Sequence, residues 1–262
     1  MNYIDAHSHY NDEQFDQDRK NIILENKKNG ISKIICAGYD IDSSKKSLQI
    51  SSEYDFIYST VGISPNDVPE KLEEVEDQVK QIEDLIKTNN KIVAIGEIGL
   101  DYYWNKENKE IQRCMFIKQI ELANKYNLPI QIHTREATID TIEILKQHSV
   151  NQKGMFHCCP LNQELIKEAL KLGFYISFAG PITFKNSKNA KEIVQMVPLN
   201  RIFTETDSPY LAPEPKRGTR NDSSNVKNIT EEVAKLREVS VEEVVDQINK
   251  NFIELFGNFS KK

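Results

Sequence analysis

Apolar residues along the chain arrive in short, dense runs separated by longer stretches of mixed polarity. The runs fall at 3–4, 33–37, 57–61, 92–95, 130–132, 154–156, 174–178 and 202–204, and several are rich in Ile and Val with no polar alternation. That pattern predicts strands buried on both faces, as in a parallel sheet. The stretches between them carry helical periodicity instead. Leu72, Val75, Val79, Ile82 and Ile86 recur at steps of three or four with Glu and Lys between them. Ile111, Met115 and Leu122 share a face that only Lys118 interrupts. A closing helix is predicted over 241–256, with Ser240 as its N-cap and Gly257 beyond its end. Eight strands alternating with helices predict an α/β fold, a TIM-type (β/α)8 barrel, with a doubly wound open sheet as the main rival. No linker, internal repeat or low-complexity tract divides the sequence, so residues 1–262 are read as a single domain.

Composition narrows the function. Lys and Arg number 34 against 40 Asp and Glu, a net charge of −6. This argues against coating nucleic acid by bulk charge, but not against an enzyme that handles phosphates through metal ions and a few local cations. The N-terminus shows no basic and apolar leader, and no apolar run approaches the ~18 residues of a membrane span. Cys36, Cys114, Cys158 and Cys159 form no C-x-x-C pair and no disulfide-dense spacing. Free thiols in a reducing, cytoplasmic setting are expected.

Five histidines are present, and four sit where apolar runs end. His7 and His9 follow the first run in Asp5-Ala6-His7-Ser8-His9. At i, i+2 on extended chain both imidazoles project from one face, which suits two ligands for one metal or one for each of two. Taken alone, H-x-H is equally a pair of solvated loop histidines. His133 closes the fifth run and His157 the sixth; singly, each reads more simply as a structural histidine. Glu97 ends the fourth run between Gly96 and Gly99, and Asp207 follows the eighth; singly, each reads more simply as a helix-capping carboxylate. Position joins them. In a parallel barrel the C-terminal ends of the strands form one rim, where active sites lie. Six such groups on five strand ends suit two divalent ions of the Zn, Mn or Fe kind, or Mg with extra waters. A carboxylate bridging the ions would set them ~3.5–4 Å apart. His148 is read as a mid-helix surface residue.

Other rim residues are less decisive. Asp101 and Glu205 suit metal binding, water orientation or structural hydrogen bonds. Arg135 lies two residues after His133, and Lys216, Arg217 and Arg220 cluster in a Pro- and Gly-marked loop after the eighth run. A solvated basic loop is the ordinary reading; its place beside a metal rim favours phosphate contact. Tyr102, Tyr103 and Trp104 suit base stacking, although packing under a loop is the commoner role for such a run.

At these residues the chain resembles the TatD family of metal-dependent deoxyribonucleases, within the amidohydrolase-like barrel superfamily. The segments that carry the resemblance are Asp5-Ala6-His7-Ser8-His9, Gly96-Glu97-Ile98-Gly99-Leu100-Asp101-Tyr102-Tyr103, Ile132-His133-Thr134-Arg135, Phe156-His157-Cys158 and Glu205-Thr206-Asp207-Ser208-Pro209-Tyr210-Leu211-Ala212-Pro213, with Arg217-Gly218 and Arg220-Asn221 similar to the family's basic loop. They run in family order along nearly the whole chain. The resemblance implies a TIM-type barrel and a site for two divalent metal ions per chain (Mg, Mn or Zn), with His7, His9, Glu97, His133, His157 and Asp207 as ligands. It implies Glu97 as the bridging carboxylate. It also implies DNA as substrate, single-stranded or at 3′ ends, cleaved at phosphodiester bonds as a 3′–5′ exonuclease. Asp207 is then expected to orient the attacking water and take its proton. Arg135, Lys216, Arg217 and Arg220 are the expected substrate contacts. No membrane association and no obligatory protein partner are expected.

Three segments depart from the family pattern. Gly-x-His-Pro-His becomes Gly62-Ile63-Ser64-Pro65-Asn66, His-Cys-Phe-Ser-Gly becomes His157-Cys158-Cys159-Pro160-Leu161, and Arg-Asn-Glu-Pro becomes Arg220-Asn221-Asp222-Ser223. The six ligands survive, so the departures bear on substrate preference rather than on metal binding. The alternative enzyme is a metal-dependent hydrolase of a carbonyl ester, a lactone or an aminoacyl-tRNA ester, since barrel and dinuclear site do not choose between carbonyl and phosphoryl chemistry. A metal-loaded binding protein without turnover is the third reading, and the intact ligand set argues against it.

Overall fold

The computed structural model describes residues 1–257. Its strands are β1 (Tyr3–Ser8), β2 (Ile31–Ala37), β3 (Ile57–Val61), β4 (Ile92–Asp101), β5 (Ile130–Arg135), β6 (Gly154–Phe156), β7 (Tyr175–Phe178) and β8 (Ile202–Thr204). They form one sheet in chain order, with every neighbouring pair parallel. Between them run α1 (Arg19–Lys28), α2 (Ile41–Glu53), α3 (Val75–Thr88), α4 (Lys109–Tyr126), α5 (Thr138–Gln147), α6 (Gln163–Lys171) and α7 (Ala190–Met196); α8 (Val226–Arg237) and α9 (Val241–Phe256) follow β8. The fold is a TIM-type (β/α)8 barrel. Phe116 and Ile120 of α4, Ile193 of α7 and Phe252 of α9 are buried in one apolar cluster with Ile95, Ile130 and Phe203 of the sheet.

The barrel closes where the chemistry is expected. The Asp207 N–H donates to the His7 carbonyl (3.0 Å), and the His9 N–H donates to the Ser208 carbonyl (2.7 Å). Behind them, the buried Asp5 carboxylate of β1 accepts from the Thr206 N–H (2.8 Å), the Thr206 hydroxyl (2.6 Å) and the Ser223 hydroxyl (2.6 Å). Burial pushes the Asp5 carboxyl up to about 7, against the downward pull of those donors. One residue at the β4–β5 junction has no substitute. Gly99 has φ +140°, and a Cβ there would stand 2.0 Å from the His133 carbonyl oxygen.

The expected strands at 57–61, 154–156 and 202–204 are found with those bounds. β1, β4 and β5 run further than their apolar residues, through His7, Glu97 and His133, which therefore lie within strands instead of after them. The ladder continues because it depends on backbone; Gly99 pairs with His133 and Asp101 with Arg135. Leu72 is not part of the helix its spacing predicts: it sits in an exposed 3-10 turn, and α3 begins at Val75. Lys118 is answered by Glu76 at 2.7 Å. The closing helix α9 has its expected cap, with Ser240 Oγ accepting from the Glu243 N–H (3.1 Å).

Candidate metal centre

The first two imidazoles come from β1. As the alternation of extended chain requires, His7 and His9 project together, and their Nε2 atoms stand 3.1 Å apart. Each is held from behind. His7 Nδ1 lies 2.8 Å from Gln131 Oε1, and Gln131 in turn donates to the Ala6 carbonyl (2.9 Å). His9 Nδ1 lies 3.1 Å from the Ala37 carbonyl. Both acceptors require a proton on Nδ1, which turns both Nε2 lone pairs toward the same point.

The second pair comes from β5 and β6. His133 Nδ1 lies 3.1 Å from His157 Nε2. His133 Nε2 lies 2.9 Å from Asp101 Oδ2, and His157 Nδ1 lies 3.4 Å from Glu205 Oε1, which also accepts the Cys158 N–H (2.6 Å). Asp101 thus backs His133 with a hydrogen bond, and Glu205 stands behind His157 as a charge whose oxygen is not hydrogen-bonded to the ring.

Glu97 joins the two pairs. Its Oε2 lies 3.5 Å from His7 Nε2 and 3.6 Å from His9 Nε2; its Oε1 lies 2.9 Å from His133 Nδ1 and 3.3 Å from His157 Nε2. Asp207 has φ +53°, a strained left-handed conformation for a non-glycine residue, and its Oδ1 lies 3.3 Å from His9 Nε2 and 3.8 Å from His7 Nε2. Burial alone would raise Glu97 and Asp207, yet the surrounding histidines hold Glu97 well below the usual carboxylate range and Asp207 below it. Burial would strip protons from His9, His133 and His157. The carboxylates reverse this: Asp207 raises His9, Asp101 and Glu97 raise His133, and Glu97 with Glu205 raises His157 well above its ordinary value. Asp101 falls to about 2 despite its burial, under His133 and the N–H groups of Tyr103 and Trp104.

These residues fit a metal. Four imidazoles and two carboxylates face one volume, with ligand atoms of His7, His9 and Asp207, and of His7, Glu97 and His157, each within 4.8 Å of one another. Two opposed Nε2 lone pairs call for a shared cation, and nitrogen-rich donors suit Zn or Mn more than Mg.

The chain is matched by the family model described as TatD related DNase over residues 4–257. The chain belongs to the TatD-related DNase family. The uncharacterized metal-dependent hydrolase YabD of Bacillus subtilis is 41% identical over 254 residues, covering 97% of this chain and 98% of that protein. The crystal structure of YJJV, a TatD homolog from Escherichia coli, superposes with a TM-score of 0.90 at 24% identity, covering 97% and 98% of the two chains. A mutant organophosphorus hydrolase from Deinococcus radiodurans shares the barrel more distantly, with a TM-score of 0.70 at 14% identity over 97% of this chain and 93% of that one. Membership makes this protein a metal-dependent hydrolase. Among the described residues, no helix is long and apolar enough to cross a membrane.

Outside the histidine cluster, the TatD-like motifs separate into several roles. Arg135, on β5, lies over Tyr103 with its guanidinium carbon 3.9 Å from the ring centroid. Arg217 lies over Phe184 at 4.1 Å, and Lys216 donates to Asn225 Oδ1 (2.8 Å). The Arg220 fork grips Asp18 (2.6 and 3.1 Å), so that side chain already has a structural partner. Tyr102 is buried with its hydroxyl on Asp140 (2.6 Å) and offers no stacking face, whereas Tyr103 and Trp104 are exposed. His148 is not mid-helix but closes α5, half-buried and apart from the cluster. Cys36, Cys114, Cys158 and Cys159 are free thiols. Ser64 donates to Asp67 (2.6 Å), and Asn66 Nδ2 reaches Asp101 Oδ2 at 3.5 Å. Gln131 was the functional residue hardest to foresee. Its signal is a lone amide between Ile130 and Ile132 in a strand buried on both faces.

Proposed function

We propose that this hydrolase is a deoxyribonuclease that uses two divalent ions, Mg, Mn or Zn, to hydrolyse DNA phosphodiester bonds from the 3′ end. The observation that carries the reading is Glu97, which turns one oxygen to His7 and His9 and the other to His133 and His157. In this reading His7, His9 and Asp207 would hold one ion, His133 and His157 would hold the other, and Glu97, facing both pairs, would be shared between them. When bound, the ions supply an acidified water and counter-charge for the phosphate oxygens.

The chain's own groups do the rest. Gln131, Asp101 and Glu205 keep the imidazoles aimed. Asp207, ionised at neutral pH, accepts a hydrogen bond from the attacking water and then its proton. Arg135 and Arg217 are the arginines whose guanidinium groups make neither ion pair nor hydrogen bond among the described residues, which leaves their N–H edges for phosphate. Lys216 adds charge beside Arg217; Arg220 holds the loop through Asp18. The reading needs no protein partner, and the four free thiols suit a reducing, cytoplasmic setting.

The test is degradation of 3′-labelled and 5′-labelled single-stranded DNA with Mg, Mn or Zn, beside His7→Ala and Asp207→Asn. Early, metal-dependent release of the 3′ label with stepwise shortening of the 5′-labelled strand, failing in both variants, is expected, with Asp207→Asn losing about 10²–10⁴-fold in rate. Full activity of Asp207→Asn with its metals bound removes Asp207 from its role. Two bound metals without cleavage of either DNA transfers the site to an ester or lactone substrate.

A further inference from the structure

Trp104 is the single tryptophan of the chain, and it is 69% exposed; its neighbour Tyr103 is 41% exposed. Large aromatic surface left open to water is unusual enough to require a reason. Looseness is not the reason. Asp101 Oδ1 accepts the N–H groups of both Tyr103 (2.9 Å) and Trp104 (2.8 Å). Gln112 Nε2 donates to the Asn105 carbonyl (2.7 Å), and Asn105 Nδ2 donates to the Pro65 carbonyl (3.2 Å). The loop is pinned and the rings are presented.

The surroundings of the rings define what they suit. Tyr103 and Trp104 meet edge to face at 4.7 Å. The Arg135 guanidinium lies 3.9 Å from the Tyr103 centroid and 5.3 Å from that of Trp104, and Lys106 Nζ lies 5.8 Å from Tyr103. Flat faces combined with positive charge match a polyanion that carries flat rings, which is single-stranded nucleic acid. The ledge is also tied to the metal centre: the carboxylate that holds its two N–H groups holds His133 Nε2 with its other oxygen.

We infer that Tyr103, Trp104 and Arg135 form a ledge that stacks one unpaired base of the substrate beside the scissile phosphate. This rests on the nuclease reading above and assigns named residues to holding the terminal base. Bases inside a duplex already stack on their neighbours, so the ledge discriminates against paired ends.

Because Trp104 is the sole indole, its fluorescence reports the contact directly. The holoenzyme is titrated with a 5′-fluorescein-labelled oligo-dT whose 3′ linkages are phosphorothioates, following indole emission and label anisotropy together. Saturable quenching that tracks the anisotropy is expected, with weaker quenching by a blunt duplex and none by an oligonucleotide carrying 3′-terminal abasic units. Trp104→Ala should weaken binding about tenfold and Trp104→Phe should retain most of it. An anisotropy rise without quenching, or full affinity in Trp104→Ala, overturns the ledge and leaves the nuclease standing. No anisotropy rise and no cleavage of unmodified DNA overturns both.

Discussion

His7 and His9 present Nε2 atoms 3.1 Å apart, each with its Nδ1 engaged by a fixed acceptor. Nε2 atoms aimed at one another in this way leave a place for a shared cation, which fits a metal-dependent hydrolase. In the second pair Asp101 fixes His133 in the same way, while Glu205 stands 3.4 Å behind His157 without a hydrogen bond. Orientation is therefore built in before a metal arrives, and it can be removed without touching a ligand.

Gln131→Leu tests this. It removes the acceptor from His7 Nδ1 and the donor from the Ala6 carbonyl. Metal affinity should fall about 10–100-fold with all six proposed ligands intact, measured by competition with a chromogenic chelator. Unchanged affinity would show that His7 does not need its tautomer fixed.

Asp5 latches β1 to the segment after β8 through three donors. Asp5→Ala leaves those buried donors unpaired and should cost about 2–4 kcal/mol of stability, read from urea denaturation. The same variant should weaken metal binding, because His7 and Asp207 share that seam. A stable variant with full metal affinity would mean the seam is closed by its backbone bonds alone.

Metal uptake should depend on pH in a definite direction. The metal-free cluster holds the pKa values of His9, His133 and His157 above the ordinary histidine value. Below those raised values protons compete with the metal; above them the rings are free. Apparent affinity should therefore rise as pH climbs through and above the ordinary histidine range, with protons released on binding. Calorimetry in two buffers of unlike ionisation enthalpy measures the release, and a flat affinity with no protons released would contradict the assignment.

The barrel was legible because parallel strands buried on both faces read as unbroken Ile and Val runs. The proposed ligands were legible because they follow those runs, and strand ends share one rim. The strand limits at His7, Glu97 and His133 were not, since polar side chains pointing into the barrel mouth interrupt the apolar signal while the backbone ladder goes on. Arg220 reads like Arg217 in sequence; only the fold brings Asp18 to it, across the gap between the β8 loop and α1. Tyr102 and Trp104, two residues apart, differ for the same reason: Asp140 of α5 takes the Tyr102 hydroxyl.

If Glu97 bridges two ions as proposed, metal content shows it most directly. Elemental analysis of wild type and Glu97→Ala, equilibrated with excess Zn or Mn and then freed of unbound metal, should give two ions per chain for wild type. The variant should hold one or fewer, with its circular dichroism unchanged. A wild type saturating at one ion, or a variant that holds two with wild-type affinity, would contradict the account.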